Sequence, residues 1–240
     1  MSDCLLLLLV PLSLLVVAAV PSGQAGLQPE RRRIPLWLKL AHTAFLAVLV
    51  PVYWTAPKYG PANFLWFSDI ALFVLFFALW LESPFLASTQ ALSVGLLETA
   101  WLLDFILALI LGKSPLGMTA YMLDPKRDLF LRGLSLFHVW MPPLLVWLVW
   151  RLGYDRRALL AQTALCWVVL PVSYFVSSKE ANINWVFGPG GEPPEWLASP
   201  RFLLGLMLFL PVCVYLPTHF VLRRFFPQRA DGSLRPGVLS

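Results

Sequence analysis

Apolar side chains fill long, nearly unbroken stretches of this chain, and short polar segments separate the stretches. A helix needs about 20 mostly apolar residues to cross the hydrocarbon layer of a bilayer. Stretches of that length are found at residues 35–54, 62–81, 85–111, 129–150, 158–176 and 201–226. The connections hold proline and glycine, which end helices. The pattern predicts an all-α, polytopic membrane bundle of six spanning helices.

The composition supports this prediction and excludes several other classes of protein. Of the 240 residues, 59% are apolar and only 13% are charged. Soluble domains have about 45–50% apolar residues and about a quarter charged residues. The net charge of +5 fits Lys and Arg in cytoplasmic loops better than a nucleic-acid surface. We therefore expect membrane lipid as the partner and no nucleic acid, and the oligomeric state stays open.

A further apolar segment, residues 4–20, precedes the six stretches. It is about 17 residues long, which suits either the core of a signal peptide or an uncleaved N-terminal anchor. The acidic Asp3 favours the anchor slightly, since signal peptides begin with basic residues. We divide the chain into an N-terminal apolar segment and linker (1–34), a six-helix transmembrane domain (35–226) and a cytoplasmic tail (227–240).

The distribution of basic residues predicts the orientation. Eleven of the 18 Lys and Arg lie near the start of the first span, in the fourth linker and in the tail. Because cytoplasmic loops are richer in Lys and Arg, the C-terminus is expected in the cytoplasm and the first, third and fifth linkers outside. The short loops favour a bacterial inner membrane.

Three ionisable residues are expected at one depth in three successive spans. Counting about 1.5 Å per residue from the outer helix ends places Asp69, Asp104 and His138 roughly 10–14 Å below the outer boundary. Successive helices tend to be neighbours, so these side chains are predicted to meet, with Ser68 beside them. Glu98 falls nearer mid-membrane. The alternative is that such groups only hydrogen-bond across helices to hold the bundle together.

The stretch after His138 contains Pro142 and Pro143. Neither proline can donate a backbone hydrogen bond, so the carbonyls of His138 and Val139 are expected to be free. This predicts either a polar pocket beside the imidazole or simply a kinked helix.

Common metal and cofactor motifs are absent from the sequence. It contains no H-x-x-x-H, H-E-x-x-H or C-x-x-C spacing, no P-loop and no dinucleotide fingerprint. The three cysteines, Cys4, Cys166 and Cys213, lie in apolar stretches. We predict no metal site and no cofactor.

Short motifs resemble a known family. Residues 64–70 read FLWFSDI, His138 is followed by Pro143, and residues 184–187 read NWVF. This pattern resembles the androgen-induced and androgen-dependent transmembrane proteins, six-helix hydrolases of fatty acid esters of hydroxy fatty acids with a Thr nucleophile and a His. The resemblance, over about residues 58–226, implies that His138 is catalytic and that Asp69 lies on the nucleophile helix. The nucleophile position falls on Trp66, which cannot attack an ester, so Ser68 is the nearest hydroxyl.

A second likeness concerns the fifth linker. Residues 182–185 read NINW and Pro193-Pro194 follow, which is similar to a loop in a bacterial family of six-helix membrane proteins with an acyltransferase relative. That relative uses a Cys and a His, and Cys166 is the mid-span thiol of the fifth stretch here.

These observations leave three functions open. One is a non-catalytic lipid-binding or scaffold protein, and another is a small transporter or channel subunit. The third is an intramembrane lipid-ester hydrolase or acyltransferase. In the third, His138, held by Asp69 or Asp104, is the general base toward Ser68 or water. The residues expected to contact the substrate are Asn182, Asn184, Trp185 and Trp66.

Overall fold

The computed structural model describes residues 34–56, 59–188 and 192–226, and these residues are helical, with no β-strand among them. The predicted N-terminal anchor or signal segment at 4–20 and the tail at 227–240 lie outside the described residues. The all-α prediction is therefore confirmed for the part of the chain that the structure describes.

Ten α-helices follow one another along the described chain. They are α1 Leu36–Thr55, α2 Phe67–Trp80, α3 Pro84–Ser93, α4 Gly95–Leu111, α5 Ala120–Leu123, α6 Leu129–Leu134, α7 Phe137–Leu152, α8 Ala158–Val176, α9 Ser199–Phe209 and α10 Leu216–Phe225. A 3₁₀ turn at Pro61–Leu65 precedes α2, and another at Ile183–Trp185 follows α8. A π-helical segment, Leu210–Tyr215, joins α9 to α10.

Four helical segments are long and apolar enough to cross a membrane. They are α1, α6 with α7, α8, and α9 through α10, and a fifth is added if the bent pair α3 and α4 is one span. Large apolar side chains cover their outer faces, for example Ile110 at 73% and Phe175 at 82% exposure. Exposed apolar surface of this extent needs lipid as its solvent, which places the chain among integral membrane proteins.

The second predicted span is shorter than expected. Its regular part, α2, has 14 residues, which rise about 21 Å against the roughly 30 Å of a hydrocarbon core. Pro61 begins a separate 3₁₀ turn, and Trp66 is extended with ψ at 134°, so the helix cannot continue back to Ala62. Six spanning helices are therefore not confirmed.

The third predicted span is broken in two. α3 and α4 meet at Val94, which has φ −120° and ψ −14°, and their axes differ by 49°. α3 packs against α2, α7 and α8, and all its residues from Phe85 to Ser93 are buried. Its polar side chains are therefore covered by protein rather than lipid. Ser93, for example, accepts a 2.9 Å hydrogen bond from Gln162 on α8.

The interruption in the fourth span lies before His138 rather than after it. α7 runs as one helix through Pro142 and Pro143, while the break between α6 and α7 falls at Ser135 and Leu136. The predicted opening at the carbonyls of His138 and Val139 is therefore not what brings the imidazole to a cavity. His138 lies in the first turn of α7, and this turn borders a cavity.

Candidate functional site

A cavity of about 950 Å³ lies where the first, third and fifth linkers meet the helices. Its walls come from the start of α2, the first turns of α4 and α7, and one side of α9. The polar residues that line it are Tyr53, Tyr59, Asn63, Ser68, Asp69, Glu98, Tyr121, Arg127, Ser135, His138, Ser177, Ser178, Glu180 and Asn184. The cavity thus joins polar linkers at one end of the bundle to the interior of an apolar protein.

His138 and Glu98 form a carboxylate–imidazole pair on the cavity wall. Nδ1 of His138 donates a hydrogen bond to Oε2 of Glu98, and both side chains are largely buried, at 14% and 6% exposure. α4 packs directly against α7, which brings the two first turns together. Nε2 of His138 has no hydrogen-bond partner among the described residues, and the side chain belongs to a residue that lines the cavity.

Trp101 fixes the plane of the imidazole. Its ring stacks on that of His138 with 4.6 Å between centroids and 23° between planes. Trp101 lies three residues after Glu98, so both side chains are on the same face of α4. One helix therefore supplies the hydrogen-bond partner and the stacking partner of His138.

Asp69 lies in the first turn of α2 and also lines the cavity. The side chain is buried, and its Oδ2 accepts a 3.2 Å hydrogen bond from Asn63. Its Oδ1 is buried without a partner in the part of the chain that the structure describes. Asp69 and His138 therefore line the same cavity.

Asp104 does not join them, and this part of the predicted cluster is wrong. Its carboxylate accepts hydrogen bonds from the hydroxyls of Ser114 and Thr119, at 2.6 and 2.8 Å, and from the backbone amides of Leu116 and Thr119. The third linker folds back along α4 and reaches Asp104. The depth estimate assumes that the linker leaves the membrane at the end of α4, and the bonds from Ser114, Leu116 and Thr119 to Asp104 show that it does not.

Ser68 and Trp66 both line the cavity at the start of α2. The Ser68 hydroxyl makes no hydrogen bond to His138 or to any other described residue. The amides of Ser68 and Asp69 belong to the first turn of the helix, where backbone N–H groups have no partner within the helix. The N-terminus of α2 therefore presents donors to the cavity.

Asn184 anchors the fifth linker to the start of α2. Its Oδ1 accepts from the amide of Phe67 at 3.0 Å, and its Nδ2 donates to the carbonyl of Leu65 at 2.7 Å and to the Ser173 hydroxyl at 3.0 Å. These bonds bridge the extended residue between the 3₁₀ turn and α2. Both amide hydrogens are used, so Asn184 is a structural clamp rather than the free donor that we expected.

Asn182 and Trp185 shape the same linker. Asn182 donates to the carbonyl of Gly188 at 2.8 Å and accepts from the amide of Phe187, and it does not line the cavity. Trp185 does line it, with a left-handed φ of 60°, which is strained for a bulky residue. Of these two predicted contact residues, only the indole faces the cavity.

The linker residues at the rim keep defined charge states. Burial raises the pKa of Tyr121, so its phenol stays neutral. A hydrogen bond from the Ser178 hydroxyl lowers the pKa of the exposed Glu180, so this carboxylate is ionised at neutral pH. Arg127 lies over the Tyr121 ring, 5.6 Å from its centroid.

Glu98 is a candidate functional residue that the estimate of depth in the membrane did not include in the predicted cluster. The buried residues Glu98, Trp101 and Asp104 recur every three positions in α4, and this spacing marks one helix face. That periodicity could have grouped Glu98 with the inward-facing side chains. The break at Val94 has one local signal in the sequence, Gly95, which directly follows it and begins α4.

Comparison with known proteins finds no relative of this chain. No family model, curated protein or solved structure matches this chain. Within the described residues, no three His, Cys, Asp or Glu side chains are arranged to hold a metal ion. The function must therefore be argued from the chemistry of the cavity alone.

Proposed function

We propose that the chain is an intramembrane hydrolase of lipid esters, with His138 as general base and Glu98 as its positioning residue. The observation that carries this proposal is the Nδ1 hydrogen bond to Glu98, which leaves Nε2 free on a residue that lines the cavity. A carboxylate on Nδ1 fixes the tautomer whose Nε2 can accept a proton, and it stabilises the imidazolium that forms.

The attacking group is a water molecule. Nε2 of His138 takes a proton from the water as its oxygen bonds to the ester carbonyl carbon, and the carbonyl electrons move to the oxygen. When the tetrahedral intermediate collapses, the bond from carbon to the alcohol oxygen breaks, and the imidazolium returns its proton to that oxygen. The products are a carboxylic acid and an alcohol. Ser68 is not hydrogen-bonded to His138, so water is favoured over the serine.

The N-terminus of α2 is the candidate oxyanion site. The amide of Phe67 is occupied by Asn184, which leaves the amides of Ser68 and Asp69 for the intermediate. Backbone donors at a helix N-terminus stabilise developing negative charge. This assignment replaces Asn182 and Asn184 as the oxyanion donors.

The wall formed by the last span supports a lipid substrate. Phe202, Leu206, Phe209 and Leu210 line the cavity, and Phe209 is 53% exposed on the outer surface of the bundle. Phe209 therefore lies between the cavity and the surrounding acyl chains. An acyl chain can enter sideways between them while the ester reaches His138.

The experiment compares turnover with covalent labelling. Purified protein in nanodiscs is incubated with medium-chain fluorogenic esters and, separately, with a fluorophosphonate probe that labels activated serines. We expect hydrolysis by the wild-type chain, less than about threefold change in Ser68→Ala, and no labelling, because water is the nucleophile. Labelling that disappears in Ser68→Ala would show a serine enzyme instead.

Lipid binding without turnover is the remaining outcome. If no ester in the panel is hydrolysed while amphiphiles still bind, the cavity belongs to a lipid-binding protein. The hydrolase proposal would then be wrong, although the proposal that the cavity binds lipids would still hold.

We further propose that the cavity opens on the outer side of a bacterial inner membrane. The first, third and fifth linkers, which have the fewer basic residues, all contribute to it, and linkers of this kind are usually extracytoplasmic. A C-terminal fusion to green fluorescent protein should therefore fluoresce, and one to alkaline phosphatase should be inactive. The reverse result would place the cavity on the cytoplasmic side.

A further inference from the structure

We infer that the protein binds the phosphate group of anionic phospholipids at the end of the bundle opposite the cavity, through Arg156, Arg223 and Arg224. Arg156 lies in the linker between α7 and α8, and the other two lie in the last turn of α10. All three side chains are exposed. We call them the basic cluster. None of them lines the cavity, so this inference does not rest on the proposed function.

The linker and the end of α10 are bonded to each other at Tyr154. Its amide donates to the carbonyl of Phe226 at 2.9 Å, and its hydroxyl is bonded to Nδ1 of His219 at 2.7 Å. Arg156 follows Tyr154 by two residues, which span at most about 7 Å. Arg223 follows His219 by one turn, on the same face of α10. Arg156 and Arg223 therefore flank one contact, and their long side chains can reach the same phosphate group.

The backbone that carries Arg156 is fixed on both sides. Before it, the amide of Asp155 donates to the Ser88 hydroxyl on α3 at 2.9 Å. After it, Arg157 is bonded to the Asp155 carboxylate at 2.7 Å and lies over the Phe85 ring, 5.3 Å from its centroid. Only the side chain of Arg156 must be ordered when a ligand binds. Such preorganisation favours binding, because less conformational entropy is lost.

The basic cluster has no acidic partner in the part of the chain that the structure describes. The two acidic residues at this end of the bundle, Asp155 and Glu82, are paired with Arg157 and Lys39. No salt bridge involves the arginines of the basic cluster. The ligand that complements three such charges is an anion, and the planar fork of a guanidinium matches the oxygen atoms of a phosphate group.

The apolar side chains beside the arginines favour a lipid over a soluble anion. Phe220 lies one turn before Arg223 and Arg224 on α10 and is 57% exposed, and Phe225 is 69% exposed. An acyl chain can pack along Phe220 while its phosphate group meets the arginines at the end of the helix. Basic clusters at the ends of spanning helices bind anionic headgroups in this way. A free phosphate ion would use only the arginines.

Binding is measured on the full-length protein in a neutral detergent by calorimetric titration. The probes are dioctanoyl phosphatidylglycerol, which is anionic, dioctanoyl phosphatidylcholine, which is zwitterionic, and inorganic phosphate. We expect the wild-type chain to bind phosphatidylglycerol at least about tenfold more tightly than either of the others. Arg156→Gln and Arg223→Gln should each weaken the phosphatidylglycerol affinity about fivefold, and the double variant should remove the preference.

The matched control removes two positive charges from the other end of the bundle. Lys113 and Arg201 are exposed and have no salt bridge among the described residues. The double variant Lys113→Gln and Arg201→Gln has the same net charge as the double variant of the basic cluster. It should keep the preference for phosphatidylglycerol, since its two residues lie far from α10's last turn.

Equal affinity of the wild-type chain for the two lipids would overturn the inference, as would an unchanged preference in the double variant of the basic cluster. Equal losses in the two double variants would show a general effect of net charge instead, and inorganic phosphate that binds as tightly as phosphatidylglycerol would show a site for a soluble anion. Arginines that only stabilise the helix dipole would change the unfolding temperature and not the lipid preference. If the double variant is not monodisperse, Arg224→Gln decides: about fivefold weaker binding of phosphatidylglycerol supports the site, and no change overturns it.

Discussion

The variant His138→Ala is expected to hydrolyse medium-chain esters about 10²–10⁴ times more slowly than the wild-type chain, the range that a well-placed general base contributes. The reason is that Nε2 of His138 is the proposed proton acceptor at the cavity, while Nδ1 is held by Glu98. The initial rate is measured in nanodiscs at saturating ester, so that a change in lipid binding does not enter.

Glu98→Gln should also lower the rate, by about 10²-fold or more, because an amide can hold the ring in the wrong tautomer and does not stabilise the imidazolium. A purely structural role for the pair is tested by adding imidazole. We expect imidazole to restore part of the rate of His138→Ala, whose cavity has room for it, but none of the rate of Glu98→Gln.

His219→Ala is the matched control for the loss of a buried histidine. His219 is 7% exposed, and its Nδ1 is bonded to the Tyr154 hydroxyl at 2.7 Å, but it does not line the cavity. Its removal costs packing and a hydrogen bond without touching the proposed chemistry. Equal losses of activity in His138→Ala and His219→Ala, with no rescue by imidazole, would refute the catalytic role of His138.

The sequence predicted individual helices best where a stretch was uniformly apolar. The fifth stretch, 158–176, coincides with α8, and the first differs from α1 by one residue at each end. Apolar length decides these helices, since lipid leaves the backbone no other way to satisfy its polar groups. The same rule does not hold for chain that is covered by protein, and this is where the predictions failed.

α3 shows the failure most clearly. It contains Ser88, Thr89, Gln90 and Ser93 within ten residues, yet it lies at the centre of the bundle. There the linker between α7 and α8 bonds Ser88, and α8 bonds Ser93. A hydropathy pattern joins it to α4, because the pattern measures apolar length and not which solvent surrounds each face. The bend at Val94 has only Gly95 as a local signal, and a single glycine inside an apolar stretch does not by itself predict a break.

The break at Val94 also explains which carboxylate reaches the imidazole. Because α4 begins at Gly95, Glu98 lies in its first turn, level with the first turn of α7, where His138 is found. A straight helix from 85 to 111 would have put Glu98 near mid-membrane and Asp104 near the imidazole. The site thus depends on an irregular backbone inside the protein, which is tolerated at membrane depth where it lines a cavity.

Asp104 instead holds the third linker against α4, and its replacement should have the largest effect on stability. Asp104→Ala is expected to lower the free energy of unfolding by about 2–4 kcal/mol, because four donors on the third linker lose a shared acceptor and some stay buried without a partner. The donors are the Ser114 hydroxyl, the Leu116 amide, and the amide and hydroxyl of Thr119. Equilibrium unfolding in mixed micelles with increasing SDS measures the change.

Thr119→Val provides the graded control for this prediction. It removes the 2.8 Å hydroxyl bond to Asp104 and keeps the amide bond, so we expect a loss of about 1 kcal/mol. The rate of ester hydrolysis per folded molecule should change less than about threefold in both variants, because Asp104 does not line the cavity and is not bonded to His138. A rate loss in Asp104→Ala as large as that of His138→Ala, at unchanged stability, would return Asp104 to the catalytic cluster and contradict the separation of the two carboxylates that α4 imposes.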